Sequence, residues 1–222
     1  MLDAHRYISN LTDLLLARLG DRLIYVGLQG SHLRGEATES SDIDVMVVLD
    51  SLSPAALDAY RQIIGALPDV EKSCGFICGR EDLARWNPLE IAHLTHTTQD
   101  YYGHLDAIVP AYSLTDVRHF VQLSAGNLYH ELCHRYVHGS RPTNEAQLPG
   151  CYRQAFFILQ NLRYLETGEF ALTRAQLTPL LSGLDLEVME EAQRLRNDGH
   201  DFSRAFALLL AWCQNVLRRA QP

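Results

Sequence analysis

The chain has no apolar run near the roughly 18 residues that a membrane-spanning helix needs, so no spanning segment is expected. Its opening stretch, MLDAHRYISNLTDLLLARLG, lacks the basic flank and apolar block of a secretory leader and carries acids and periodic leucines instead. A Cys-x-x-Cys pair is also missing. The five cysteines (Cys74, Cys78, Cys133, Cys151 and Cys213) are odd in number and scattered, which argues for reduced thiols in a cytoplasm rather than a disulfide framework. Positive charge is in deficit, with 19 Lys and Arg against 27 Asp and Glu and a formal net charge of −8. A protein that grips long nucleic acid usually presents a basic surface, so that partner is disfavoured. A single nucleotide is not, because its phosphates need only metal ions and one or two cations. Internal repeats and low-complexity tracts are absent as well.

What is present divides in two. The first half alternates helix and strand, and the second reads as helices alone. Tyr7, Ile8, Leu11, Leu14, Leu15 and Leu19 have the spacing of an amphipathic helix. Residues 23–28 predict a strand that ends at Gly30-Ser31, and 42–50 predict a second. SPAALDAYRQIIGAL opens with a Ser-Pro helix start. A third strand is expected from about Val70 to Cys78, while 80–113 reads as short helices and loops. Helices are then expected over about 116–138 (Thr115 as N-cap, Gly139 as stop), 150–167, 173–182, 185–197 and 201–220. The fold class is thus α+β: an amino-terminal domain with a small mixed sheet over 1–113, then an all-helical bundle over 114–222.

The chemistry concentrates in GSHLRGEATESSDIDVMVVL (30–49). Gly30-Ser31 directly follows a strand, where a glycine lets backbone approach a bound group and successive N–H groups form an anion-binding nest. The Ser31 hydroxyl adds a donor, and Arg34 a cation. Asp42 and Asp44 flank Ile43 at a strand start, so period-two geometry puts both carboxylates on one face. Two such charges repel unless a cation sits between them, and oxygen-only ligands suit Mg²⁺. The apolar run that follows reads as a strand buried on both faces, a rigid mount for the pair.

This order of strand, Gly-Ser, ten residues, Asp-x-Asp and apolar run resembles the signature of the DNA polymerase β-like nucleotidyltransferase superfamily. GSHLRGEATESSDID is similar to the form in its small bacterial members. The resemblance covers residues 23–50 directly and implies a reaction: an acceptor hydroxyl attacks the α-phosphorus of a nucleoside triphosphate, ATP foremost, and pyrophosphate leaves. It implies two Mg²⁺ ions, with Mn²⁺ as the alternative, on Asp42 and Asp44, and phosphates held by Gly30, Ser31, Arg34 and Ser41. The family usually adds a third carboxylate on the next strand; Glu71 is the candidate, with Asp69 second, though the flanking Lys72-Ser73 is polar for that place.

FFILQNLRYLETGEFALTRAQL (156–177) is similar to the helical domain of aminoglycoside nucleotidyltransferases. There a Ser/Thr-Lys pair starts a helix; here Thr173-Arg174 stands in its place, so the resemblance implies a cap and a cation for the triphosphate. A capped surface helix explains the pair equally well. Asp100, Tyr101, Tyr102, Asp106, Tyr129 and Glu131 could line a cleft for a cationic acceptor, or be ordinary surface and core. The expected partners are a nucleoside triphosphate and a small hydroxylated acceptor, without membrane or nucleic acid; a homodimer is left open. The alternative is a regulatory or antitoxin-like protein that binds or nucleotidylates a protein partner.

One motif points elsewhere. His130-Glu131-Leu132-Cys133-His134 fits the H-E-x-x-H pattern of zinc peptidases. No H-x-x-G-x-x-H extension follows, and nothing marks His200 as a third ligand. His130, His134 and His138 form a ridge opposite an apolar face of Val117, Phe120, Val121, Leu128, Leu132 and Tyr136. A catalytic zinc is therefore not expected, and His130, Glu131 or His134 is expected to line the acceptor pocket or to be plain surface.

Overall fold

In the computed structural model, which describes residues 3–195 and 201–221, the chain divides between Tyr112 and Ser113 into two compact units. The amino-terminal unit starts with α1 (Ala4–Leu19), whose N-cap Asp3 accepts from the Arg6 amide and whose buried stripe is Tyr7, Ile8, Leu11 and Leu15. Then come β1 (Leu23–Leu28), a short helical turn α2 (Gly30–Leu33), β2 (Ile43–Leu49) and α3 (Pro54–Ile64). Ser53 caps α3 and Pro54 occupies its first turn, where the missing N–H is no loss. The unit is completed by β3 (Ser73–Gly79), α4 (Arg80–Ala84), α5 (Pro88–His96) and β4 (Gln99–Tyr102).

The described sheet has the order β3-β2-β1-β4. β1 runs antiparallel to both β2 and β4, and β2 runs parallel to β3. A parallel pair needs a long crossover, which α3 provides. β2 is apolar at nearly every position because both its faces are covered. Ile43, Val45 and Val47 pack with Tyr7, Ile8, Leu11 and Leu15 of α1. Met46 and Val48 join Tyr25, Cys78, Leu83 and Leu105 on the other face.

Two differences from expectation matter for the site. β3 begins at Ser73, not Val70: Val70–Lys72 form a 3₁₀ turn, entered through Asp69 in the left-handed region (φ 59°). The segment expected to hold only helices and loops also contributes an edge strand, β4.

The carboxy-terminal unit comprises α6 (Leu114–His138), α7 (Arg141–Thr167), α8 (Arg174–Leu177), α9 (Gly183–Arg194) and α10 (Phe202–Arg219). Ser113, not Thr115, caps α6, and Asp116 closes a capping box with it. Val121, Leu128 and Leu132 of α6 share a core with Phe156 and Leu159 of α7 and Leu209, Trp212 and Val216 of α10. Tyr136, expected on the buried face, is 59% exposed and stacks on Phe206. α7 starts at Arg141 rather than near 150 because Ser140 caps it, and it continues through Pro149. The proline forfeits one i→i−4 bond, but Leu148, Cys151 and Tyr152 around it are buried. The expected helix over 173–182 divides into α8 and a 3₁₀ turn, Thr178–Leu180. The expected end of the 185–197 helix and His200 lie outside the described residues. Buried Asp185 ties the unit together: it accepts from Trp212 Nε1 at 2.8 Å and from Arg219 Nη1 at 2.7 Å. No described helix is long and apolar enough to cross a membrane.

Candidate active site

The site is built where β1 ends and β2 begins. Gln29 extends the β1–β2 ladder by one bond, its amide donating to the Asp44 carbonyl at 2.8 Å. The chain then turns sharply into α2 at Gly30, whose φ of 70° lies in the left-handed region. A Cβ on Gly30 would overlap the Asp44 carboxylate. The glycine is therefore required twice, by its backbone angle and by the carboxylate seated against it. The leading N–H groups of α2 have no intrahelical acceptors, as at every helix start. The Ser31 carbonyl accepts from the Glu36 amide at 2.9 Å and closes the loop.

Asp44 is half-buried and Asp42 is exposed, one residue before β2. In the parallel ladder Asp44 is registered with Cys74 of β3. Partial burial, then the hydrogen bond and charge of Asp44 and the charge of Asp42, raise the Cys74 thiol above its usual range. The two carboxylates and the thiol thus form one local group, and the thiol remains protonated at neutral pH. Across β1, Gln29 Nε2 donates to Thr98 Oγ1 at 2.8 Å. Cys74, Asp44, Gln29 and Thr98 make a polar row from β3 to the start of β4. Cys74, Gln29 and Thr98 were not singled out from the sequence; Cys74 becomes visible only once the β2–β3 register is known.

Glu71 does not join this group. It is exposed in the 3₁₀ turn before β3, and it acts with Asp69 on Tyr7 of α1. Burial, and then the charges of Asp69 and Glu71, raise the Tyr7 phenol. Tyr7 packs on the face of Ile43 and Val45, whereas Asp44 points to the other. Among the described residues no three His, Cys, Asp or Glu side chains come together as a metal site. The third carboxylate expected on β3 has no counterpart there: strand pairing places Cys74 beside Asp44.

The other expected ligands are placed as follows. Arg34 Nε donates to Glu36 Oε2 at 3.1 Å, with both side chains mostly buried, so the guanidinium helps pin its own loop. It also faces His93 of α5. Burial, then the charges of Arg34 and His96, lower the His93 imidazole to about 4. An unfolded chain protonates this residue near pH 6.5, so it takes up a proton the folded chain refuses, and stability falls as the pH drops from about 6.5 to about 4. Urea midpoints measured across that window should fall less steeply for His93→Leu. Ser41 belongs to the Thr38–Ser41 turn, where its hydroxyl accepts from the Thr38 amide at 2.9 Å. Asp100 accepts from the Tyr25 hydroxyl at 2.7 Å, and Tyr101 contacts His5.

In the carboxy-terminal unit, Thr173 caps α8 in a capping box with Gln176. The Arg174 guanidinium lies 4.1 Å from the centre of the Phe156 ring. Glu131 pairs with Arg135 at 2.7 Å and accepts from Gln154 at 3.1 Å.

The donor set fits a hard dication in part. Asp42 and Asp44 supply carboxylate oxygens over a glycine cradle, enough for one Mg²⁺ that takes its remaining ligands from water and substrate phosphates. A second ion with a carboxylate of its own finds no ligand on β3.

Residues 13–74 match the nucleotidyltransferase domain family model. The fold is similar to the crystal structure of spectinomycin adenyltransferase AAD(9) from Enterococcus faecialis with ATP and spectinomycin. The TM-score is 0.59 at 15% identity, covering 97% of this chain and 100% of that one. No curated protein sequence matches the chain. The matched segment contains the Gly30 turn, Asp42, Asp44 and Cys74.

Proposed function

We propose that the chain transfers a nucleoside monophosphate from a nucleoside triphosphate to a hydroxyl of a small acceptor. The observation that carries this reading is the Asp42/Asp44 pair set against the Gly30 turn within the matched domain. The likeness to an adenyltransferase crystallised with ATP and spectinomycin supports ATP as the donor and an aminoglycoside-like acceptor.

In this reading the Gly30-Ser31 backbone and the Ser31 hydroxyl hold the triphosphate tail, and the Arg34–Glu36 pair keeps the loop in shape. Asp42 and Asp44 would hold Mg²⁺, or Mn²⁺ in its place, which when bound supplies neutralisation of the phosphate charge. The acceptor oxygen bonds to the α-phosphorus, the bond from that phosphorus to the bridging oxygen breaks, and pyrophosphate departs. Such a reaction asks the protein mainly for positioning and charge. The acceptor proton goes to water, because β3 offers a protonated thiol where a carboxylate could take it. The same thiol is the one observation favouring a second reading, a domain that holds a nucleotide or a protein partner without turnover.

The test is pyrophosphate release from each nucleoside triphosphate with Mg²⁺, across aminoglycosides, lincosamides and other hydroxylated small molecules. Acceptor-dependent release supports transfer. Tight binding of a protein partner with no turnover on any acceptor supports the second reading. Glu71→Gln should leave the rate unchanged, whereas loss of a working general base would lower it by about a hundredfold or more. Cys74→Glu should raise the rate by placing a proton acceptor beside Asp44. A collapse of activity in Glu71→Gln with nucleotide binding intact would return Glu71 to the site.

A further inference from the structure

The HELCH stretch, expected to line an acceptor pocket or to be plain surface, carries histidines arranged for a different chemistry. His130, His134 and His138 lie exposed along α6 at i, i+4 and i+8. Their rings are neighbours: the centroids of His130 and His134 are 6.0 Å apart, and those of His134 and His138 are 4.9 Å apart. Among the described residues, none of these three imidazoles makes a hydrogen bond or ion pair. The glutamate of the motif is committed to Arg135 and Gln154, so it is not available as the general base a peptidase needs.

Imidazole nitrogen suits zinc, nickel and copper, and it is a poor match for the hard ions that prefer carboxylates. A zinc–nitrogen bond of about 2.0–2.1 Å and a near-tetrahedral angle place two ligating rings with centroids about 5 Å apart. His134 and His138 already stand at that separation, while His130 and His134 need a small rotation to reach it. His130 and His138 are two turns apart, about 12 Å at 1.5 Å per residue, so the three cannot share one ion. This agrees with the absence of a three-ligand group among the described residues.

We propose that His134 and His138 chelate one late first-row divalent cation, Zn²⁺, Ni²⁺ or Cu²⁺, through two imidazoles, with water in the remaining positions. His130 with His134 forms a looser alternative on the same ridge. The site is independent of the Asp42/Asp44 pair, differs from it in metal preference and has no catalytic base.

Calorimetric titration of the full chain with Zn²⁺, then Ni²⁺, in excess Mg²⁺ tests this. One ion per chain is expected. His134→Asn, which removes the residue common to both pairs, should weaken binding by about tenfold or more. His130→Asn should leave affinity unchanged, and His138→Asn should fall between the two because it leaves only the looser pair. All three positions are exposed, and circular dichroism verifies that the helix persists. Asp42→Asn with Asp44→Asn should bind as the parent does. The proposal is overturned if the parent binds no ion, if His134→Asn binds as tightly as the parent, or if the aspartate variant or Cys74→Ser removes binding. None of these outcomes bears on nucleotidyl transfer, which the pyrophosphate assay decides separately.

Discussion

Replacing Asp42 and Asp44 together by alanine should lower pyrophosphate release by about a thousandfold or more, the scale on which loss of transition-state charge stabilisation is felt. The unfolding midpoint should stay close to the parent's. The two outcomes separate because the proposed role of the carboxylates lies in binding the donor and not in holding the fold. Asp42 and Asp44 both bring negative charge to the Cys74 thiol, and Asp44 is half-buried. Asp42 is exposed and neither side chain forms an ion pair among the described residues, so their removal takes little from the folded state while removing the proposed metal ligands. The single variants should each cost nearly as much activity as the double, because two ligands of one ion act as a unit. Steady-state pyrophosphate release alongside urea denaturation gives both numbers. Activity surviving in the double variant would move the nucleotide site elsewhere in the chain. A large drop in stability would mean that the pair has structural partners beyond those described.

The elements that carry this pair were legible in the sequence for a physical reason. β1 and β2 are buried on both faces, so nearly every residue is apolar and the pattern marks their ends within one residue. α1 and α3 likewise present one apolar stripe and a capping residue each. Elements whose limits depend on tertiary partners could not be read in this way. β4 is four residues, Gln99–Tyr102, at a sheet edge with no buried position, so neither alternation nor an apolar run reveals it. The start of β3 depends on pairing with β2, and a shift of three residues moves Glu71 off the strand. That shift also changes which residue stands beside Asp44, and Cys74 carries no sequence signal of such a role. α7 shows the reverse error: Pro149 reads as a helix boundary, but the packing of Leu148, Cys151 and Tyr152 outweighs one lost hydrogen bond. The candidate site residues were thus readable where burial fixes the backbone, and unreadable where register does.

Gly30→Ala offers the sharpest test of the cradle, because Gly35 provides a matched control. Both glycines have left-handed backbones, φ 70° and φ 66°, so alanine at either costs about 1–2 kcal/mol through the backbone alone. At Gly35 a Cβ meets nothing within 4 Å, whereas at Gly30 it overlaps the Asp44 carboxylate. Asp44 is the second residue of an otherwise buried strand whose register is fixed by both neighbours, so either its carboxylate turns away from the turn or the loop yields, and β2 itself stays. Either way the leading N–H groups of α2 and the Asp44 carboxylate are parted. Gly35→Ala should therefore lose stability and keep its KM for the nucleotide. Gly30→Ala should lose more stability, raise that KM and lower kcat towards the level of Asp44→Ala, since a misplacement of about 1 Å can cost a hundredfold in rate. Equal effects at the two positions would show that the turn needs glycine only for its backbone angle. A larger effect confined to Gly30 would place the Asp44 carboxylate against the backbone that receives the triphosphate, the contact on which nucleotide binding depends.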